Sequence, residues 1–497
     1  MKNLISTIVS LTLTICLLLT SYSLVIEAKT DFKINNFKSY SVKTGIKLKW
    51  DENPLADKYI VYTKNNKGLW GVLDDTSKTS IVDSTIDEGV VREYKIEGVN
   101  ELEAIHSEPS YSTYCYLKIP TISKVTNTYK GLKIEWSSNK FVTEYIIMKK
   151  IGVDGKWKKL KTINNKTFTY TDEKVTNGVK YFYSLRKKYK NYNSMYSLSG
   201  VEKTRINCVK NFNVKNSPKG IKLTWSKSTD VKNYLVHRKV VGEKKWTKIA
   251  TLKSTKCSYI DKKPKYGKKN TYAVQIITKN NLKSGYSQNK YVYAVNPKKP
   301  MIALTYDDGP ADSSTNAILD TLKKNNARAT FFVLGSRIAS YKDSIQREAK
   351  LGCEIACHTY SHITLTSASD KKIESEISKT NELIKKYTNQ EVKLARAPGG
   401  SHNERVRNAV GLPMIGWSID TRDWEHRNSS KSYNCVVNNA KDGDIILMHD
   451  IHSPTATASQ SIIPYLTKKG YQLVTVSEMF DAKGITLKSN GYYYSAR

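Results

Sequence analysis

Cysteine is scarce in this chain. Seven occur in 497 residues. One is Cys16, in the leading apolar run. The other six, at 115, 208, 257, 353, 357 and 435, are too few and too scattered for a disulfide scaffold. Cys208 and Cys257 fall in one module and are the pair placed to bridge. Cys353-x-x-x-Cys357 lacks zinc-finger spacing, and strand alternation reads both as packing residues. No second long apolar run follows the first, so no further membrane span is expected. The zinc-protease helix H-E-x-x-H is absent, which excludes that mechanism. No nucleic-acid recognition motif and no oligomer signal is visible. Acidic side chains are also short: 45 against 81 basic ones, a net charge of +36. The imbalance is local. Residues 301–497 hold 25 basic and 21 acidic side chains, net +4, which leaves +32 on the first 300.

What is present begins with one Lys, an apolar run from Leu4 to about Leu19, and then smaller, more polar residues. That is the pattern of a secretory signal, residues 1–28, with cleavage near Ala28. Stretched to Ile26, the same run is long enough to stay as a membrane anchor. After it one phrase recurs: GIKLKW at 45–50, GLKIEW at 131–136 and GIKLTW at 220–225, at spacings of 86 and 89 residues. A period that long means tandem domains, because solenoid repeats are far shorter. Each phrase alternates apolar and polar up to Trp50, Trp136 or Trp225, as a half-buried strand does. A second strand follows each, and then a Tyr-led one beginning at Tyr94, Tyr181 or Tyr272. Several short strands with an early Trp and a late Tyr describe an antiparallel sandwich. The pattern resembles the fibronectin type III domain, three times over: 31–118, 119–206 and 207–295. Such modules act as spacers or binding units. Their Lys excess reads either as a solvated surface or as attraction to an anionic cell-wall polymer.

A short linker, 296–300, carries Pro297 and Pro300, and the pattern then changes. Apolar strands around 302–306, 329–335 and 353–359 alternate with helical stretches near 312–325 and 341–350, so a parallel α/β domain is expected over 301–484, with a tail at 485–497. Polar residues gather where the strands end. TYDDGP puts Asp307 and Asp308 side by side after the first strand. Two adjacent carboxylates repel, and a metal ion is the usual remedy. HTYSH puts His358 and His362 after the third, four apart, a spacing that brings two imidazoles to one side of a helical turn. RAPGG supplies Arg396, Pro398 and Gly400. DTRDW follows the strand MIGWSI, and LMHD follows DIIL. In an α/β barrel such strand ends share one rim.

With five such segments in this order, 301–481 resembles carbohydrate esterase family 4, the polysaccharide deacetylases with a NodB-homology domain. The resemblance implies a multidomain protein: three all-β sandwiches followed by a distorted (β/α)7 barrel. It also implies that Asp308, His358 and His362 bind a divalent metal. Zinc is the usual one, with cobalt, nickel or manganese as alternatives. Asp307 would be the general base, held by Arg396. His449 would be the general acid, paired with Asp423. Trp424 and Leu447 would wall the acetyl-methyl pocket. One Asp and two His leave an open coordination position, as a catalytic metal needs, and a carboxylate beside His449 raises its pKa toward protonating an amine. The family's third segment is commonly R-P-P-Y-G. Here Gly399 stands at the aromatic position. It keeps the backbone N–H for the oxyanion but has no ring to meet the sugar. His402, His426 and His452 read as surface residues within reach of the cleft. Asp450 reads as a structural hydrogen-bonding group and Asp420 as a turn or cap residue.

The expected activity is a secreted or wall-associated N-deacetylase acting on N-acetylglucosamine of a polysaccharide. IGWSIDTRDW resembles the peptidoglycan deacetylases of the family, so peptidoglycan in a Gram-positive-type wall leads. Chitin, poly-N-acetylglucosamine and O-acetylxylan are the alternatives. A wall-binding protein with an idle enzyme domain is the competitor from another class, and it would lack a ligand or acid that this sequence retains. Nucleic acid is not an expected partner.

Overall fold

The repeated phrase folds three times into the same strand: Gly45–Lys49, Leu132–Trp136 and Gly220–Thr224. Ile46, Leu48 and Trp50 are buried while the Lys between them are not, and the pattern recurs at Leu132, Ile134 and Trp136 and at Ile221, Leu223 and Trp225. Each Trp meets a Tyr edge-on, at 5.4 Å (Tyr59), 5.6 Å (Tyr145) and 5.4 Å (Tyr234). Such pairs add about 0.5–1.5 kcal/mol beyond the area they bury. The computed structural model describes residues 32–65 and 67–497. The leading segment read as a secretory signal, Cys16 included, lies outside them. Among the described residues no helix is long and apolar enough to cross a membrane.

The chain divides into two units, one ending at Asn207 and one running from Cys208 to Arg497. The first is all-β. Two antiparallel sheets surround the Trp50 core and two surround the Trp136 core, each pair one three-stranded sheet against one five-stranded sheet. The late-strand tyrosine differs from expectation in the second copy. Tyr94 and Tyr272 donate to the buried carboxylates of Asp83 and Asp261, at 2.8 and 2.9 Å. The residue doing this in the second copy is Tyr183, to Asp172 at 2.8 Å, two positions after Tyr181. A shift of two keeps the face of the strand, which is why alternation alone did not separate them.

The second unit opens with a third pair of antiparallel sheets, three- and four-stranded. Cys208 turns its thiol toward the carbonyls of Gly285 and Tyr286, each at 3.3 Å, and makes no disulfide with Cys257. Beyond it lies the parallel α/β part. Met301–Asp307 is central, paired with Thr330–Val333 on one side and Ile445–His449 on the other. Outward from Thr330–Val333 come Glu354–Cys357, Ala395 and Met414–Ile415. Outward from Ile445–His449 comes Ile419–Asp420. Only residues 416–418 join Met414–Ile415 to Ile419–Asp420, so the two ends of the row must meet and the sheet curls into a barrel. MIGWSI is therefore two short strands around a break, not one. Helices Ser313–Lys324, Lys342–Leu351, Asp370–Thr388, Ser429–Asn439 and Ser453–Lys468 cover the outside. Ile302, Leu304 and Tyr306 pack toward them, and Cys353 joins the same core as a packing residue.

The third sandwich packs against the amino ends of these strands. The Arg328 guanidinium lies 4.4 Å from the Tyr293 ring and grips Glu478 at 3.0–3.1 Å, Lys215 pairs with Asp481 at 3.0 Å, and Asn326 donates to the Gly267 carbonyl at 2.8 Å. Catalytic groups of such sheets sit at the opposite, carboxyl-end rim.

Candidate active site

Register sets the first contact. Asp307 ends the central strand and stands opposite His449, while Thr305 stands opposite Leu447. Alternation puts all four side chains on one face, with Thr305 and Leu447 a layer beneath Asp307 and His449. Arg396, after the single-residue bridge at Ala395, reaches across this face fully buried. It donates to Asp307 Oδ1 at 2.7 Å, Thr305 Oγ1 at 2.8 Å, and the Ile415 and Gly416 carbonyls at 3.0 and 2.9 Å. Its guanidinium lies 4.1 Å from the Phe332 ring centre. A buried guanidinium satisfied this fully is fixed, and losing one partner of such a pair costs about 3–5 kcal/mol. Asp307 thus has one oxygen committed to Arg396, while Oδ2 faces His358 Nε2 at 3.7 Å.

Asp308 leaves the strand in the left-handed region, φ 71°. This turns its carboxylate toward both imidazoles: Oδ1 is 3.4 Å from His358 Nε2 and 3.2 Å from His362 Nε2. The three donor atoms lie within 4.8 Å of one another. HTYSH, however, is not a helical turn. His358 follows the strand directly, and the chain bends through Thr359 (φ 68°) and His362 (φ 61°). Glu376, buried on Asp370–Thr388, holds this bend by accepting from the Tyr360 and Ser361 N–H at 2.8 and 2.7 Å and from the Ser361 hydroxyl at 2.9 Å. A loop pinned by a carboxylate replaces i,i+4 helix geometry. His358 Nδ1 sits 3.0 Å from the Arg396 carbonyl. A carbonyl can only accept, so Nδ1 carries the proton and Nε2 presents its lone pair to the cluster. Burial alone would raise the Asp308 pKa, but the His358 and His362 imidazoles beside it outweigh burial and hold the carboxyl well below its ordinary range. An anionic oxygen and two imidazole nitrogens that close, one His tautomer set by an outer carbonyl, fit a zinc-type divalent cation.

Across the cleft, His449 Nδ1 and Asp423 Oδ1 are 2.8 Å apart. Asp423 Oδ2 accepts from the His449 N–H at 2.8 Å and from Thr455 Oγ1 at 2.6 Å. Burial disfavours the imidazolium, yet the Asp423 hydrogen bond and the Asp307, Asp423 and Asp308 charges prevail and lift His449 to about 9. Asp423 is correspondingly lowered against its own burial, chiefly by His449. Nδ1 is engaged, so Nε2 is the proton-donating atom. Leu447 is buried below, and the Trp424 ring stands 47% exposed at the start of Asp423–His426. Gly399 takes φ 60° in the turn after Arg396.

The remaining expectations divide. Asp450 is buried behind the site, accepts from Thr315, and is pushed up to about 7 by burial. Asp420 caps a turn by accepting from the Arg422 N–H at 2.8 Å. His426 folds back on its own segment, against the Thr421 carbonyl and the Asn428 N–H. His452 lies 6.1 Å from His449, ring to ring. His402 stacks on Tyr492. Thr305, Glu376 and Thr455 were not singled out from the sequence. Thr305 was findable, two residues before Asp307 on the same strand face. Glu376 and Thr455 come from helices with no motif of their own.

Residues 294–412 match the family model described as polysaccharide deacetylase. The chain is 42% identical over 189 residues to the peptidoglycan-N-acetylmuramic acid deacetylase PdaC of Bacillus subtilis, covering 38% of this chain and 40% of that one. It is 38% identical over 191 residues to a peptidoglycan-N-acetylglucosamine deacetylase of Bacillus cereus, covering 37% of this chain and 89% of that one. The solved structure of PdaC aligns at 42% identity and a TM-score of 0.38, covering 38% of this chain and 94% of the other. The chain spans about two fifths of the length of the first curated relatives it matches.

Proposed function

Since the chain belongs to the polysaccharide deacetylase family, we propose that it hydrolyses the acetamide of N-acetylglucosamine in a cell-wall polysaccharide, peptidoglycan first. The observation that carries this reading is the convergence on one rim of three parts: the Asp307–Arg396 pair, the Asp308/His358/His362 cluster and the Asp423–His449 pair.

Asp308, His358 and His362 would hold a divalent cation, most simply Zn2+, which when bound supplies an acidified water and polarises the acetyl carbonyl. The chain's own groups do the rest. Asp307 takes the attacking water's proton at Oδ2, its other oxygen held by Arg396. As the C–O bond forms and the carbonyl π pair moves to oxygen, the Gly399 N–H donates to the oxyanion. Collapse of that carbon breaks the C–N bond, and His449 Nε2 gives its proton to the departing nitrogen, since an amide anion leaves too poorly on its own. The products are acetate and a glycan amine. Asp423 keeps the imidazolium charged and oriented. Leu447 and Trp424 bound the space for the acetyl methyl.

We read the sandwiches as fibronectin type III-like modules, and their positive charge as attraction to an anionic wall polymer. The protein would be secreted or wall-associated. The test is acetate released from purified Gram-positive peptidoglycan and, in parallel, from acetylxylan, with the zinc-loaded chain and an Asp307→Asn control. Release from peptidoglycan alone, lost in the variant, is expected. Mass spectrometry of the muropeptides then shows which sugar lost its acetyl group. Release from xylan alone would overturn the substrate and keep the mechanism.

A further inference from the structure

Six histidines belong to the α/β part of the chain, and five of them are committed. His358 and His362 join Asp308 in the cation cluster. His449 is held by Asp423. His426 is taken by the Thr421 carbonyl and the Asn428 N–H, and His402 by the Gly400 carbonyl and the Tyr492 ring. His452 differs from all of these. It is half-buried, its ring centre lies 6.1 Å from that of His449, and its nitrogens have no hydrogen-bond partner among the described residues.

The backbone fixes where His452 stands. It lies in the loop at the carboxyl end of Ile445–His449, immediately before helix Ser453–Lys468. Its carbonyl accepts from the Thr455 N–H at 3.1 Å, and the Thr455 hydroxyl donates to Asp423 at 2.6 Å. Asp423 ties in a second segment from the other side. Its own carbonyl accepts from the Arg427 N–H at 3.2 Å, closing the turn Asp423–His426, which follows the carboxyl end of Ile419–Asp420. One carboxylate residue thus brings both segments to the rim beside the proton donor. Arg427 is exposed. Glu425, on the same turn, pairs with Arg422 at 2.6 Å, and among the described residues no carboxylate pairs with the Arg427 guanidinium. Its charge is nevertheless felt at His452: burial first, and then Arg427, hold that imidazole below its ordinary range. The acid side of the cleft therefore presents an unneutralised guanidinium and a neutral imidazole with one N–H to give. A guanidinium fork matches the two oxygens of a carboxylate. A chain of N-acetylglucosamine alone carries no anion. Peptidoglycan does, because its muramic residues bear acidic peptide arms.

We propose that Arg427 and His452 form a subsite for a carboxylate on the peptide arm beside the sugar whose acetamide is cleaved. Both are specificity residues: they hold the strand next to the reacting group and favour a carboxylate-bearing glycan over a neutral one, while His449 keeps the proton transfer. This rests on the deacetylase reading and narrows its substrate, so the test separates the two.

The experiment uses the full zinc-loaded chain and soluble peptidoglycan strands in two forms, one with free carboxylates and one with the carboxylates capped as methylamides. For Arg427→Gln, the ratio of kcat/KM on free strands to that on capped strands falls roughly three- to ten-fold, carried by KM, as expected for one charged contact at a partly exposed position. Arg427→Lys, which keeps the charge without the fork, falls less. His452→Phe, which keeps a ring without an N–H, lowers the ratio about two- to three-fold. Metal content and melting temperature identify any variant that has lost its fold. Calorimetric binding of both strand forms to Asp307→Asn chains, with and without Arg427→Gln, reads the same contact without turnover. Weaker binding of the free strands alone in the double variant supports the subsite even if no acetate is released. An equal fall on both forms would make Arg427 a general support of the cleft and overturn the subsite. An unchanged ratio together with unchanged binding overturns it as well, whatever the wild-type activity.

Discussion

At the scale of single residues, the site was legible because most of its groups stand directly after strands, inside short contiguous phrases. Asp307, Asp308, His358, Arg396, Asp423 and His449 need only their strand to be placed, and the structure brings them together. Thr455 could not be read that way. Its hydroxyl completes Asp423 from 32 residues away, and nothing in its local sequence marks it. The His449–Asp423 pair carries a pH prediction. Free imidazole titrates near 6.5, and His449 in the folded chain is raised to about 9. A raised His contributes stability that is fully present below about pH 6.5 and lost as pH climbs through about 9. Melting temperature should therefore fall over that window. The alkaline limb of the acetate-release profile should reflect the same proton, and a bound cation, offsetting the Asp307 and Asp308 charges, moves that limb to lower pH. In Asp423→Asn the limb shifts acidward and the pH-dependent part of the melting curve shrinks. A profile that is flat from pH 6.5 to 9 in both chains would remove His449 as the acid. A second residue-scale expectation concerns the cation cluster. Added zinc raises the melting temperature of the wild-type chain, because it binds the folded state alone. Asp308→Asn and His358→Ala abolish that rise, and metal analysis of the dialysed proteins finds far less zinc than in wild type.

At the scale of elements, the main strands and the helices Ser313–Lys324 and Lys342–Leu351 were readable from alternation and from the change of pattern after Pro300. Two readings differ from the structure. HTYSH has the spacing of a helical pair but the conformation of a pinned bend, because Glu376 supplies the acceptor that a helix would have supplied internally. MIGWSI has the composition of one strand but is broken at Gly416. There Arg396 takes the Ile415 and Gly416 carbonyls, and Tyr492–Tyr493 takes the neighbouring backbone of Met414–Ile415. In both places a group distant in sequence wins the backbone, and local periodicity carries no trace of it. The bend gives a test. Glu376 touches no proposed cation ligand, yet it accepts from two N–H groups between His358 and His362. Glu376→Ala leaves those donors unpaired, at about 1–3 kcal/mol each where buried, and frees His362 to wander. Zinc affinity, measured by competition with a chelator, should drop about 10- to 100-fold, the range seen for outer groups that orient ligands. Glu376→Gln, which keeps one acceptor, should fall between. An unchanged affinity in Glu376→Ala would mean that the bend holds itself.

At the scale of the whole molecule, the three copies were visible as a repeat, but the sequence did not say that the third would belong with the barrel. Its attachment is made of scattered partners: Tyr293 against Arg328, Lys215 with Asp481, and Asn326 on the Gly267 carbonyl, none of which forms a pattern in sequence. The division of the chain after Asn207 therefore predicts two different truncations. A chain beginning at Cys208 retains the melting temperature of the α/β part and turns over soluble oligomers at the full-length rate. A chain beginning at Pro297 uncovers the amino ends of the strands, leaves Arg328 without its ring partner, and melts several degrees lower. Charge adds the complementary prediction. Residues 208–300 hold 23 basic and 3 acidic side chains, net +20 of the +36, against +12 on residues 1–207, so the third sandwich carries most of any attraction to an anionic wall. Full-length protein should sediment with peptidoglycan that retains its anionic polymers and be released between 0.1 and 1 M salt, where the screening length shrinks from about 10 to about 3 Å. The Cys208 chain should behave alike, and the Pro297 chain should sediment weakly at either salt. If instead all three chains sediment equally and salt releases none, the front modules act as spacers, and the barrel rim itself holds the protein on the polymer.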